Sequence, residues 1–243
     1  MSQGLLWALA FQGPVDTQTV STGTYVLELH VDTHAKLPFF GWTKSTTNST
    51  VLAVIQKTEE GLIQRHTPCD VQVITRKVPA KTIIPKAMMD SLPIKTYEID
   101  FSKDGKTWRY KADLGEDHIG YDPSITKTVP TQASDPGVID GDKDGNPGVT
   151  VEIDVMMFGT SELYVAQRGH LWVEGTLEED GSVRGKVDMA PVVQHTMDAS
   201  NRFMMASPPI RPDPENSWFE LRPVSSQTTC KDIQLLIKQR TKR

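Results

Sequence analysis

The chain has 243 residues, 37% of them hydrophobic, enough for a core in one large all-β domain or two small domains, and a single domain is expected. A net charge of −5 with no basic stripe or interleaved aromatics leaves no nucleic-acid footprint. The first apolar stretch, Gly4 to Phe11, is too short to span a bilayer and lacks a signal peptide's positive flank, and no other segment reads as transmembrane. Residues 1–20 therefore read as the remnant of a processed export signal, or as a first strand or lid, ahead of one domain spanning 21–243.

From Thr24 to Asp32 the chain alternates strictly, with Tyr25, Leu27, Leu29 and Val31 on one face of a half-buried strand. His30, Asp32 and His34 share the opposite face; they resemble a transition-metal site in spacing, but with no further ligand visible they are expected to face water. A Thr/Ser/Asn-rich bend follows Trp42, and Val51–Lys57 with Leu62–Thr75 then form a hairpin about Gly61. Asn48-Ser49-Thr50 fits the glycosylation pattern, a triplet frequent by chance. Ile83 to Pro93 reads as a helical turn or a lid.

The dipeptide Asp104-Gly105 predicts a two-residue hairpin setting Phe101 against Trp108, Ile99 against Tyr110 and Tyr97 against Ala112. Asp100 then faces Arg109, and Glu98 faces Lys111. Tyr97, Phe101, Trp108 and Tyr110 make an aromatic band, a candidate lining for an apolar ligand or else part of a filled core. A long polar connection is predicted over 115–148, and its length marks it as functional or disordered.

Inside that connection stand Asp140, Asp142 and Asp144, followed by Gly145 and by a strand whose Val149, Val151, Ile153 and Val155 share one face. Carboxylates at alternate positions beside a turn-making glycine are how a short loop wraps hard oxygens around Ca²⁺. Close like charges also repel unless neutralised, whereas a plain solvated turn is the alternative. The candidate ligands are Asp140, Asp142, Asp144, Asn146 and Glu152, with Glu116, Asp122 and Asp135 as further oxygens. An EF-hand would need its bidentate Glu at 151, where this chain has Val151, and a helix where Pro147 and Gly148 lead into a strand. The loop instead resembles the DxDxDG loops of extracellular calcium proteins outside the EF-hand class.

Glu179-Asp180-Gly181 predicts a three-residue hairpin loop that pairs Leu177 with Val183, Val173 with Val187, Leu171 with Met189 and Glu174 with Lys186. Gly175 then meets Gly185, as a sharply coiled strand requires. Ser207 to Pro214 is stiff and non-helical, and a last strand follows at 217–224. Thr229 and Asp232 open a short amphipathic helix over about 229–240, with Cys230, Ile233, Leu236 and Ile237 on its apolar stripe. The chain's two cysteines, Cys69 and Cys230, lack zinc-type neighbours. A disulfide is expected, stabilising by about 4–5 kcal/mol on the chain-entropy model, against an alternative of two buried thiols.

This run of antiparallel hairpins, closed by a C-terminal helix and a long-range disulfide, resembles the lipocalin-type barrel in layout, with Gly23-Thr24-Tyr25 where that family carries Gly-x-Trp. The run Asp142 to Val151 is similar to that of exported bacterial proteins and lipoproteins with a DxDGxPGVTV-like loop, which implies export, to the periplasm, the cell surface or the medium. The expected fold is all-β, an antiparallel meander closing into a lipocalin-like barrel, or alternatively a β-sandwich, with a short C-terminal helix. No nucleophile elbow, phosphate loop, dinucleotide fingerprint or zinc-protease motif is present. The expected function is a non-enzymatic binding protein for a small apolar ligand, with a calcium-stabilised loop. A structural or adhesive envelope protein is the second reading, and a hydrolase using His118, His170 or His195 with a carboxylate the third.

Overall fold

The computed structural model describes residues 22–37, 40–76, 78–156 and 159–241, so the proposed export remnant or lid at 1–20 lies outside the described residues. The alternating segments pair into one 12-stranded antiparallel sheet. Its first members are β1 (Gly23–Leu37), β2 (Gly41–Lys57) and β3 (Leu62–Thr75). Tyr25, Leu27, Leu29 and Val31 are buried, as their alternation requires. The Thr/Ser/Asn-rich stretch is strand rather than bend: β2 begins at Gly41 and pairs with β1 down to Leu37↔Gly41. Threonines fit a pleated, half-buried surface, which overrides the polar composition that suggested a bend. Asn48, the glycosylation candidate, sits mid-strand between His30 and Gln72.

After the short strand β4 (Ala80–Ile83) the predicted helical turn is α1 (Lys86–Ser91). The aromatic hairpin follows as β5 (Lys95–Asp104) and β6 (Thr107–Ile119), but its register differs from the expected one by two residues. Phe101 faces Tyr110, Ile99 faces Ala112 and Asp100 faces Lys111. Gly105 has φ +61° and stands at the first central position, where a type II′ turn needs glycine, so Gly105-Lys106 forms the turn. A two-residue slip preserves side-chain parity, so the aromatic band keeps its face. β6 also runs on to Ile119, taking Glu116, Asp117 and His118 out of the predicted loop.

Strand β7 (Val149–Val155) pairs with the 19-residue β8 (Gly159–Leu177), which turns into β9 (Val183–Met189). This last hairpin has the predicted register throughout, including Gly175↔Gly185. A Cβ on Gly185 would lie 2.0 Å from the Glu174 carbonyl oxygen, so only glycine permits the approach. β10 (Val193–Ala199), β11 (Ile210–Pro212) and β12 (Trp218–Val224) precede α2 (Cys230–Thr241).

The ladder β8-β6-β5-β3-β2-β1-β12-β9 returns to β8 through the β8–β9 pairing, which makes the hydrogen bonding ring-like. Inside lie Leu27, Ile55, Tyr110, Val173, Val187, Phe219 and Leu221 among other buried side chains. Gln64, His66 and Tyr110 form a buried polar chain there: Tyr110 Oη donates to Gln64 Oε1 at 2.7 Å, and Gln64 Nε2 donates to His66 Nε2 at 2.7 Å. Burial pushes the His66 imidazole down to about 4.

Cys69 and Cys230 form a disulfide with Cα atoms 5.0 Å apart, joining β3 to the start of α2. Thr229 and Asp232 cap α2 reciprocally: the Thr229 N–H donates to Asp232 Oδ2 at 2.9 Å, and the Asp232 N–H donates to Thr229 Oγ1 at 3.4 Å. Ile233 packs under the helix with Val26 and Cys69. Leu236, placed on that stripe by its spacing, is exposed instead. Among the described residues, no helix is long and apolar enough to cross a membrane.

Candidate functional site

The acidic segment is an excursion from an otherwise continuous line of pairing. Along one edge of β8, β6 ends at Ile119↔Gln167 and β7 resumes at Val149↔Val165. Residues 120–148 therefore leave and return at almost one point. Gly120 and Gly148 form the neck. A Cβ on either would come within 2.4 Å of the Val165 carbonyl oxygen, so both glycines are needed for the two ends to abut over β8. Tyr121, Val129, Ala166 and Met197 make a small apolar cluster beneath the excursion.

Beside this neck, where the Gly141 N–H donates to the Gly148 carbonyl at 2.7 Å, Asp140, Asp142 and Asp144 offer ligand atoms within 4.8 Å of one another, an arrangement able to hold a metal ion. The backbone curls around the carboxylates. Asp140 accepts from the Asp144 N–H at 3.1 Å and the Gly145 N–H at 2.9 Å, and Asp144 Oδ1 accepts from the Asn146 N–H at 2.8 Å. Lys143 takes φ +61° and Gly145 φ +93°, which tightens the turn. Thr150, the second residue of β7, ties the loop to the sheet: its N–H donates to Asp142 Oδ2 at 2.9 Å and its hydroxyl to Asp144 Oδ2. Burial works against the Asp144 charge, but hydrogen bonds from Thr150 and Asn146 outweigh it and hold the carboxyl below its usual range.

Asp142 is the outlier. It is only 8% exposed, and its second oxygen, Oδ1, is buried without a hydrogen-bond partner. A buried carboxylate oxygen left bare costs on the order of 1–3 kcal/mol or more, which a bound cation would recover. The donors are all oxygens, the set that hard cations of the Ca²⁺ and Mg²⁺ kind prefer.

Other predicted ligands do local work. Asp122 accepts from the Ser124 N–H at 2.8 Å, Asp135 from the Thr131 and Gln132 N–H groups at 2.8 and 3.0 Å, and Glu116 sits 3.3 Å from His118 Nε2. Glu152 stands in β7 opposite Glu162. Thr150 was missed by reasoning from carboxylates; a β-branched hydroxyl at the loop-to-strand junction is the signal that marks it.

The disposition of the aromatic band is mixed. Tyr110 has 0% exposure, while Tyr97 and Phe101 are partly buried against the core. Phe101 lies 5.9 Å from Trp108 and 5.8 Å from Tyr110, and with Leu62 and Leu177 it marks one end of the ring. Of the candidate catalytic histidines, His170 Nε2 lies 2.5 Å from Asp113 Oδ1, whereas His195 pairs in β10 opposite Ala166.

The expectation that His30, Asp32 and His34 face water fails at Asp32, whereas the His34 side chain is 40% exposed. Asp32 is 2% exposed, with Lys44 Nζ at 2.5 Å, Thr46 Oγ1 donating at 2.5 Å and His30 Nε2 at 3.5 Å. Burial opposes the Asp32 charge, but Lys44 and Thr46 overcome it and lower the pKa. These partners come from β2, across the sheet, and the polar spacing in β1 alone does not reveal them. No family model, curated protein or solved structure matches this chain, so a reading of function rests on the geometry of these residues.

Proposed function

We propose that the chain is an exported, non-enzymatic binding protein, a lipocalin-like β-barrel whose acidic excursion is held by Ca²⁺. The bare buried Oδ1 of Asp142 carries the calcium reading. Asp140, Asp142 and Asp144 supply the carboxylates, Asn146 and Glu152 stand as additional candidate oxygens, and the ion neutralises charges that otherwise repel. A ring in which strands join edge to edge supports a barrel over a two-sheet sandwich, because closure removes free edges. The Cys69–Cys230 disulfide supports an oxidising, exported setting.

The apolar ligand seats at the ring end where Leu62, Phe101 and Leu177 are only partly buried and Trp108 adds its indole to Phe101, with Tyr97 and Tyr110 further along the same inner face. The full burial of Tyr110, with its hydroxyl committed to Gln64, favours a second reading, a structural or adhesive envelope protein with a filled core. Non-denaturing mass spectrometry of the purified protein before and after chelation separates the readings. A calcium-mass adduct lost on chelation, with a co-purified lipophilic mass, supports the binding barrel. Calcium without a lipophile favours the envelope role, and a bare polypeptide mass in both samples overturns the calcium reading.

A further inference from the structure

The C-terminal helix α2 has two apolar sides, and the fold uses one. Cys230, Ile233 and Ile237 pack against Val26, Leu52 and Cys69 on the outer surface of β1, β2 and β3. The disulfide fixes the first turn, and Gln234 Nε2 donates to the Cys69 carbonyl at 2.6 Å. The helix is therefore anchored without Leu235 and Leu236, which are 51% and 42% exposed.

Lys231, Leu235 and Lys238 stand at i, i+4 and i+7, a single stripe opposite the docked side, with Leu236 on its flank. Helix stability does not account for that stripe. Lys231 lies in the first turn, where a positive charge opposes the macrodipole, and the two exposed leucines add nothing to the core.

Charge is divided across the molecule in the same sense. From Cys230 to Arg243 five basic residues oppose one aspartate, a balance of +4, so the rest of the chain carries −9 to reach the total of −5. The excursion at 120–148 holds five aspartates against two lysines, a balance of −3. It hangs from β8, four strands from β2 in either direction round the ring, whereas α2 lies over β2 and its neighbours. The basic helix and the acidic excursion thus occupy opposite walls. Such a charge division turns the helix side toward a negatively charged surface and the excursion away from it.

We propose that α2 is a peripheral membrane contact, docking the protein on an anionic lipid bilayer with Leu235 and Leu236 in the interface and the basic side chains against the headgroups. A 12-residue helix with interleaved leucines and lysines lies along such a surface and does not cross it. An anionic polymer would use the charges but leave the leucines in water, so the leucine pair selects lipid. The contact needs neither an interior ligand nor a metal.

Flotation of the intact protein with vesicles of equal parts phosphatidylcholine and phosphatidylglycerol tests this, beside vesicles of phosphatidylcholine alone. Binding to the anionic vesicles only, weakening as salt is raised, is expected. Lys231→Gln with Lys238→Gln should weaken it about tenfold or more, since each basic residue near an anionic surface is worth about fivefold. Leu235→Ser with Leu236→Ser should weaken it about tenfold, while Lys186→Gln, exposed on β9, changes little. All four helix positions are exposed, so the variants keep the fold. Equal binding by wild type and the leucine variant would overturn the proposal, as would equal binding to both kinds of vesicle. So would binding that survives both helix changes and vanishes on chelation, which would assign it to Ca²⁺ bridging lipid to the Asp140 cluster. Retention by dextran sulfate without vesicle binding would likewise overturn it and assign the helix to a polyanion.

Discussion

The ring and the excursion at 120–148 are built on opposite principles. The ring buries a continuous apolar interior from Leu27 to Phe219 and Leu221, and is cross-linked to its C-terminal helix by Cys69–Cys230. The excursion contributes two buried apolar side chains, Tyr121 and Val129, to a cluster completed by Ala166 and Met197 of β8 and β10, and otherwise relies on carboxylates receiving backbone N–H groups. Apolar burial is indifferent to ions, whereas a curl of carboxylates depends on whatever neutralises it. The ring should therefore hold its structure without metal, while the excursion should not.

The sharpest ways to separate the two regions act on the ring. Replacing Cys69 and Cys230 by alanine should lower global stability by about 4–5 kcal/mol, because the bridge closes most of the chain into one loop; urea unfolding measures it. Phe219→Ala, which empties a side chain 1% exposed and 5.7 Å from Tyr110, should cost about 3–5 kcal/mol in the same assay. Neither change should alter metal affinity once the variant is folded.

Acid distinguishes the regions differently. His66 has a folded pKa of about 4 against an ordinary 6.5, so between those values the unfolded chain binds a proton that the native state does not. Stability is therefore fully present above pH 6.5 and falls by about 3 kcal/mol as pH drops to 4. His66→Gln should flatten that slope in urea unfolding measured across the window; an unchanged slope would place its origin elsewhere. Smaller still, Thr229→Ala removes the hydroxyl half of the α2 cap, the acceptor for the Asp232 N–H, and should cost about 1 kcal/mol, since the disulfide and Ile233 retain the helix.

The same contrast explains what could be read from the sequence. The β8–β9 register was legible because Glu179-Asp180-Gly181 admits one loop geometry and Gly175 and Gly185 needed each other. Around Asp104-Gly105 the dipeptide suited two turn types, and only Gly105 at the first central position decides between them. β8 was not legible as one strand, because its first half is held by β7 and β10 and its second by β6 and β9, partners distant in the chain. The three aspartates were visible by spacing. That Asp142 is buried with a bare oxygen was not, since its burial is imposed by the Gly120–Gly148 neck and Thr150.

Hydrogen exchange of the intact protein with excess Ca²⁺ and with chelator tests the division directly, read together at residues 120–148 and across β1, β2 and β12. Protection in the excursion should fall on chelation and be absent in Asp142→Asn under both conditions, while the ring strands exchange alike in both. Equal protection of 120–148 with and without Ca²⁺ would contradict the metal-held excursion, and loss of ring protection on chelation would contradict the independence of the two regions.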